Sequence, residues 1–461
     1  MFQTACRTMH IDLKGLCPQA DFAHKLMDDL QSFGYNYILM EFEDKFPFEC
    51  CPEIVHTGAY TKAELAEFER PGLSVIPLMQ CAGHLDYLLA HRKYAYLRDA
   101  GRTYQWNLAL EETFELWRKM TDEILEVYPN AEYFHIGADE VELADNTEFE
   151  RYLMHVERCV DYLRSRGLKV LIWDDVFRRH DHEALNRLLG KVTVCVWQYR
   201  AINEELVINM VKRGAEVWGA SRIQTNTKYR GMGRLLLKYK NLNEWIEISR
   251  RHQLPGHIGT LWGRAQCLSP LNAALPESMY MAAYLAHGLV NGKVDRAEFD
   301  RKFAAEYFGT PEFEMGKFAD MIANDPDMAA PLLIPTAKNN EIIEIWKLLN
   351  EIDSLFKYCE RCFAANQGMY AGYKKGIIPP KLTRNYLDGV RITDERIAAL
   401  KEKIREVFAK YFVAGQTEEY ISSRFDALLE QNARWGEVLR QAAADYDPQL
   451  PGAIHGGKIH A

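Results

Sequence analysis

Short runs in which apolar and polar residues alternate recur along the first part of the chain, each followed by a stretch with apolar residues at three- and four-residue spacing. In Thr8-Met9-His10-Ile11-Asp12-Leu13-Lys14, the first of them, Met9, Ile11 and Leu13 fall on one side and His10, Asp12 and Lys14 on the other. A period of two marks a strand with unlike faces, so one face should pack on helices and the other carry polar groups into a barrel interior. After a helical stretch from Asp21 to Phe33, the run from Asn36 to Glu43 repeats the pattern and places Glu41 and Glu43 together, with Asp44 next. Acids on a buried strand face are costly unless paired or functional.

The same reading gives strands over 73–80, 131–137, 169–175, 192–199, 215–221 and 258–264. Helix signals lie between them. Thr61 and Glu64 form a capping box, Asn107 is expected to cap a helix to Val127, and Gly167 ends a helix that begins near Glu148. Strand followed by helix, eight times over, predicts a (β/α)8 TIM barrel whose last helix lies near Pro276 to Leu289. After about Asp295 strand candidates cease, and Asn340 to Ala365, Pro380 to Phe412 and Thr417 to Tyr446 are helical, as in Ile342, Ile345, Leu348 and Leu349. We therefore expect a catalytic barrel over 1–294 and a C-terminal all-helical domain over 295–461.

The 461 residues exceed what one hydrophobic core usually serves, in keeping with two units. A net charge of −9 repels phosphate backbones, which argues against a nucleic-acid partner. No apolar run is long enough to span a membrane, and the N-terminal residues lack a signal-peptide segment. Ten cysteines without paired zinc-type spacing read as free thiols, so the protein is expected to be cytoplasmic, with no metal and no cofactor.

Candidate chemistry concentrates at strand ends, where a parallel barrel keeps its reactive groups. His135-Ile136-Gly137-Ala138-Asp139-Glu140 puts two adjacent carboxylates after a short strand. The hexapeptide resembles the His-x-Gly-x-Asp-Glu signature of the family 20 glycoside hydrolases, the β-N-acetylhexosaminidases. The resemblance runs from about Thr8 to Leu289 through His10 to Gly15, Glu41 to Asp44, Ile76 to Leu78, Gly83-His84, Trp173-Asp174-Asp175 and Trp197-Gln198-Tyr199, and is most like the hexosaminidase D branch. It implies that Glu140 is the general acid/base and that Asp139 holds the substrate's acetamido group. It also implies that Trp173, Trp197 and Trp262 wall that group and that His84 is the histidine of the Pro-Gly-His segment, here with Ala82 in place of proline. His135 is read as structural, joining strand ends beneath the site.

Departures from the family pattern concern the sugar hydroxyls. Lys14 stands nearest the place of the family's strand-one arginine, Ala220-Ser221-Arg222 where a tyrosine and an aspartate follow strand seven, and Arg264 where a glutamate follows the strand-eight tryptophan. Tyr199, Glu43 and Asp44 are the candidate replacements, while Lys14, though also a candidate for sugar contact, reads with Asp12, Glu41, Asp174 and Asp175 as part of barrel ion pairs. The implied substrate carries a terminal N-acetylhexosamine, and the implied nucleophile is its own acetamido oxygen. Asp139 and apolar walls are expected to raise the Glu140 pKa for proton donation. Alternatives are a retaining glycosidase with Glu43, Asp174 or Asp175 as nucleophile, a metal hydrolase using His84, His135 and Asp139, and a sugar-binding barrel without catalysis.

Overall fold

The computed structural model describes residues 3–179, 186–225, 235–263, 276–310, 338–375 and 380–444. Its strands are β1 (Cys6–Asp12), β2 (Tyr37–Glu41), β3 (Ser74–Leu78), β4 (Arg98–Asp99), β5 (Arg102–Trp106), β6 (Tyr133–His135), β7 (Lys169–Trp173), β8 (Val192–Trp197), β9 (Glu216–Thr225) and β10 (Gly256–Trp262). Eight of them close a parallel barrel in the order β1-β10-β9-β8-β7-β6-β3-β2. The expected (β/α)8 barrel is the fold observed. The antiparallel β4–β5 hairpin was not expected, because Arg102-Thr103-Tyr104-Gln105-Trp106 lacks a buried face along most of its length.

The helices are α1 (Ala20–Ser32), α2 (Lys62–Ala66), α3 (Asp86–Leu89), α4 (Glu111–Val127), α5 (Asn146–Ser165), α6 (Asp175–Arg179), α7 (Asn186–Leu189), α8 (Glu204–Lys212), α9 (Leu235–Arg251), α10 (Pro276–Asn291) and α11 (Arg296–Phe303). Three long helices follow: α12 (Asn340–Lys374), α13 (Pro380–Tyr411) and α14 (Ala414–Ala444).

Strand parity decides where the two cores lie. Met9, Ile11, Ile38, Met40, Val75, Val170, Ile172 and Val194 join the large core shared with the helices. Their alternates, among them Leu39, Ile76, Leu171, Trp173, Cys195, Trp218 and Ile258, form a separate cluster within the barrel. His10, Asp12 and Glu41 share that inward parity, so the polar face read from the first two strands does point into the barrel.

Local signals explain several helix ends. Thr61 and Glu64 make the reciprocal bonds of a capping box, at 3.2 Å from the Glu64 N–H and 2.7 Å from the Thr61 N–H. Asp145 accepts from the Glu148 N–H at 2.9 Å, and α5 ends before Gly167, which has φ +85°. Asn107 is a correction: it accepts from the Ala109 N–H at 3.1 Å, and α4 begins later with Leu110 at its cap position. The asparagine closes a turn before the helix rather than the helix itself.

In the C-terminal helices Ile342, Ile345, Trp346 and Leu348 are buried, whereas Leu349 is half-buried and Phe356 packs on Phe425. Their docking on the barrel uses main-chain pairing. Pro18 and Phe412 form an antiparallel bridge, flanked by Gln19 N–H to Tyr411 C=O at 2.8 Å and Val413 N–H to Cys17 C=O at 3.0 Å. Residues 17–19 belong to the loop after β1, on the face where the strands end. The tail from Gly456 onward lies outside the described residues.

Among the described residues no helix is long and apolar enough to cross a membrane, and no group of three or more His, Cys, Asp or Glu could hold a metal ion. The nine described cysteines are all free. Thiol titration of the denatured, unreduced chain is therefore expected to count nearly all ten cysteines, and a count lower by two or more would reveal a disulfide.

Candidate active site

The carboxylate pair sits on a turn whose backbone is forced. β6 has only three residues, and beyond it Gly137, Ala138 and Glu140 take φ of +66°, +69° and +50°. Left-handed backbone at two residues with side chains needs surroundings that over-determine it. Gln80, just past the end of β3, supplies much of this: its Oε1 accepts from the Ala138 N–H at 3.1 Å and its amide nitrogen donates to Asp139 Oδ1 at 3.0 Å. Tyr152 of α5 donates to the Ala138 C=O at 3.0 Å, and the Trp173 N–H to the Gly137 C=O at 3.1 Å. A side chain at Gly137 would place its Cβ 1.9 Å from Gln80 Oε1, so glycine is required there by space as well as by φ.

His84 joins the two acids. It also has positive φ, at +53°, and its Nε2 lies 3.3 Å from both Asp139 Oδ2 and Glu140 Oε2. The charge of Asp139 beside it pushes the imidazole up to about 11, against the opposing effect of burial, so His84 is an imidazolium at neutral pH. Asp139 is buried and held below the usual carboxylate range by His84, overcoming its own desolvation. The Glu140 side chain is 52% exposed, and its bond to His84 lowers its pKa. This corrects the expected upward shift, because a shared cation outweighs the neighbouring aspartate and the carboxyl is half open to water.

His135 is fully buried, accepts from the Gly137 N–H at 2.9 Å and packs 4.3 Å from the Trp173 ring. Burial lowers it to about 3, so it is neutral. The side chain bonds its own turn rather than a neighbouring strand end.

A second cluster forms where β1 and β2 end. The Lys14 ammonium lies 3.2 Å from Asp12, 3.0 Å from Glu41 and 3.0 Å from Glu43, and His10 lies 3.1 Å from Glu41. Asp12 also accepts from the Gly263 N–H at 2.8 Å, tying β10 to this cluster. Burial, with Glu41 and Asp12 nearby, pushes Glu43 up to about 8 despite Lys14, while Glu41 is held below the usual range by Lys14 and His10 despite its burial. One ammonium thus serves two carboxylates, and Glu43 is mostly a neutral carboxyl, able to donate as well as accept. Asp44 turns elsewhere and pairs with Lys45.

Trp173 is fully buried, with Trp262 5.6 Å above it, whereas Trp197 and Trp262 are half-buried. Tyr199 packs 5.2 Å from Trp197, and its hydroxyl receives the Trp262 indole N–H. Trp197 is clamped: its Nε1 donates to Asp175 at 2.6 Å, its backbone N–H to Asp174 at 3.2 Å, and the Arg178 guanidinium lies 4.4 Å from its ring. Burial pushes Asp174 up to about 7 and raises Asp175.

Gln80 and Arg178 were missed from the sequence. A single amide at a strand end carries no distinctive pattern, whereas the spacing of Arg178, four and three residues after the two aspartates, was a signal the sequence offered. Ala220, Ser221 and Arg222 lie inside β9, not after it, and the residues that follow the strand, like Arg264, lie outside the described residues.

The family model for the glycosyl hydrolase family 20 catalytic domain matches residues 53–226. Hexosaminidase D of Bos taurus is 27% identical over 348 residues, covering 68% of this chain and 99% of that protein. Hexosaminidase D of Homo sapiens is 28% identical over 322 residues, covering 63% of this chain and 66% of that protein. Among solved structures, the β-N-acetylhexosaminidase from Bacteroides fragilis NCTC 9343 is similar in fold, with a TM-score of 0.52 at 16% identity over 66% of this chain and 70% of that one. Residues 53–226 of the chain thus match the family 20 glycoside hydrolase catalytic domain, and the chain resembles the hexosaminidase D branch.

The His84 bridge has a pH signature. Its folded-state pKa lies above the ordinary 6.5, so its stabilisation is fully present below that pH, declines as the pH rises and is gone above about 11. The stability difference between the wild type and His84→Gln should shrink along that range. In NMR titration the wild-type His84 ring should stay protonated at pH 8, and a titration near 6.5 would contradict the bridge.

Proposed function

We propose that this chain is a family 20 glycoside hydrolase, a β-N-acetylhexosaminidase that removes a terminal non-reducing β-linked GlcNAc or GalNAc by a retaining, substrate-assisted mechanism. The reading is carried by one observation: Asp139 and Glu140 lie side by side on an over-determined turn, bridged by a protonated histidine, one buried and one open to solvent.

Each step assigns one of these groups a task. Glu140 gives its proton to the leaving glycosidic oxygen while the substrate's acetamido oxygen attacks the anomeric carbon and forms an oxazolinium ion. Asp139, ionised and fixed by Gln80 and His84, accepts the acetamido N–H and aims the oxygen at the carbon. In the second step Glu140 takes a proton from water as that water opens the oxazolinium ring. The lowered pKa of the free enzyme suits this base role. For the first step a bound sugar covers the half-exposed carboxyl, and loss of water favours its neutral form.

The half-buried Trp197 and Trp262 support the acetamido pocket, with Trp173 beneath them as a packed base. Lys14, the neutral Glu43 carboxyl and Tyr199 are the groups we assign to the sugar hydroxyls, and Asp44, paired with Lys45, is a lesser candidate. An enzyme carboxylate as nucleophile is less well supported. Asp174 and Asp175 are committed to Trp197 and Arg178, and Glu43 to Lys14. The cytoplasmic setting belongs to the proposal and is supported by the free cysteines.

Glu140→Gln should lower kcat on alkyl glycosides by about 10²-fold or more, the usual contribution of a positioned proton donor, with less effect on glycosylation by activated aryl glycosides. Unchanged rates on both would remove Glu140 from the mechanism. A second test changes the nucleophile. Replacing N-acetyl by mono-, di- and trifluoroacetyl weakens the amide oxygen, so log kcat/KM should fall steeply along the series. A flat series would point to an enzyme carboxylate, and no turnover of any aryl N-acetylhexosaminide to a sugar-binding protein.

A further inference from the structure

Lys14 and Glu43 stand on loops that the barrel alone does not fix. Lys14 begins the β1–α1 connection, and Glu43 has φ +48° in a tight turn just after β2. Both loops are gripped by one residue from the C-terminal helices. Gln416, in the first turn of α14, is 2% exposed. Its Oε1 accepts from the Cys17 N–H at 2.6 Å, three residues after Lys14, and its Nε2 lies 3.3 Å from His56 Nδ1. The ring orientation of His56 is settled by its other partners: Nδ1 also accepts from the Gly58 N–H at 3.0 Å, and Nε2 donates to Glu419 of α14 at 2.9 Å. The His56 N–H in turn donates to the Asp44 C=O at 2.8 Å, next to Glu43. Tyr60, which follows on the same loop, donates to the Pro18 C=O at 2.5 Å and closes the ring of contacts. Gly58 leaves room for this: a Cβ there would come within 2.8 Å of the Gln416 amide nitrogen.

We propose that Gln416 is a positioning residue for sugar-hydroxyl recognition, acting through Cys17 and His56 to set the separation of Lys14 and Glu43. The inference rests on the hydroxyl role assigned above to those two residues. On this view the C-terminal helices complete the substrate site without touching substrate, and specificity between sugar epimers depends on a joint remote in sequence. The two loops carry the two partners of one close contact, Lys14 and the Glu43 carboxyl 3.0 Å apart, so a shift of either loosens the grip on a hydroxyl but leaves Asp139 and Glu140, on the β6 turn, where they are.

The test uses the full chain with Gln416→Met, which keeps the volume and removes both hydrogen bonds, and Glu419→Ala, which releases His56 from the surface side. Substrates are an aryl N-acetylhexosaminide and its 3-, 4- and 6-deoxy counterparts. For Gln416→Met we expect KM on the parent sugar to rise about fivefold, the scale of a lost buried hydrogen bond, with kcat within about twofold. The preference for the parent over the deoxy sugar that the wild type handles worst should shrink by a similar factor, which general loosening of the fold would not produce. Glu419→Ala should move both quantities the same way by about twofold. An unchanged deoxy ratio in Gln416→Met, or a fall confined to kcat, would overturn the proposal. If that variant is unfolded at the assay temperature, Glu419→Ala decides, and an unchanged ratio there overturns it equally. A wild type that hydrolyses the parent sugar but ignores the deoxy changes defeats the hydroxyl assignment, and one that does not hydrolyse it defeats the activity. Either result is distinct from failure of the Gln416 link.

Discussion

The grip of the Gln80 amide on the β6 turn is the constraint from which the site follows. One planar group satisfies a main-chain N–H and a carboxylate oxygen at once, and so holds three left-handed residues in place. The β3–β6 pairing makes this possible, because it puts the residue after one strand beside the turn after the other. With the turn fixed, Asp139 faces inward and Glu140 outward, and their different exposures are consequences of backbone geometry rather than of side-chain choice.

Charge on this face is arranged by sharing. His84 serves two carboxylates and Lys14 serves two, with a third acid kept neutral. Buried ions without partners would cost several kcal/mol each, and a barrel interior offers little water to relieve them. Sharing keeps each cation committed while leaving the anions incompletely paired. Such groups are suited to exchange a protein contact for a substrate contact with little rearrangement.

Alternation made the first strands legible, since inward and outward positions differ in kind along β1 and at the end of β2. Strands buried on both sides, such as Val192–Trp197, were legible as apolar runs, but their ends were less so because the runs continue into loops that are also buried. The Asp139-Glu140 pair and His84 could be found because their pattern is dense. Gln80 could not, since its function depends on a neighbour 58 residues away and its type is chemically quiet. The sign of the Glu140 shift escaped for a related reason: adjacency in sequence suggested repulsion from Asp139, while the deciding cation comes from the loop after β3. The half-buried Trp197 and the buried Trp173 look alike in sequence, and only closure of the barrel separates them.

The main-chain bridge between Pro18 and Phe412 has a temporal consequence. The Cys17–Gln416 hydrogen bond joins residues 399 apart. A chain leaving the ribosome from its N-terminus can pair its barrel strands before the segment that secures the first two loops has been made. The barrel thus emerges with part of its working face unsettled, and contacts of such long sequence separation form slowly. A nascent chain can thus form the turn that carries its acid pair before the loops bearing Lys14 and Glu43 gain their last contacts, which wait for α14 to be made.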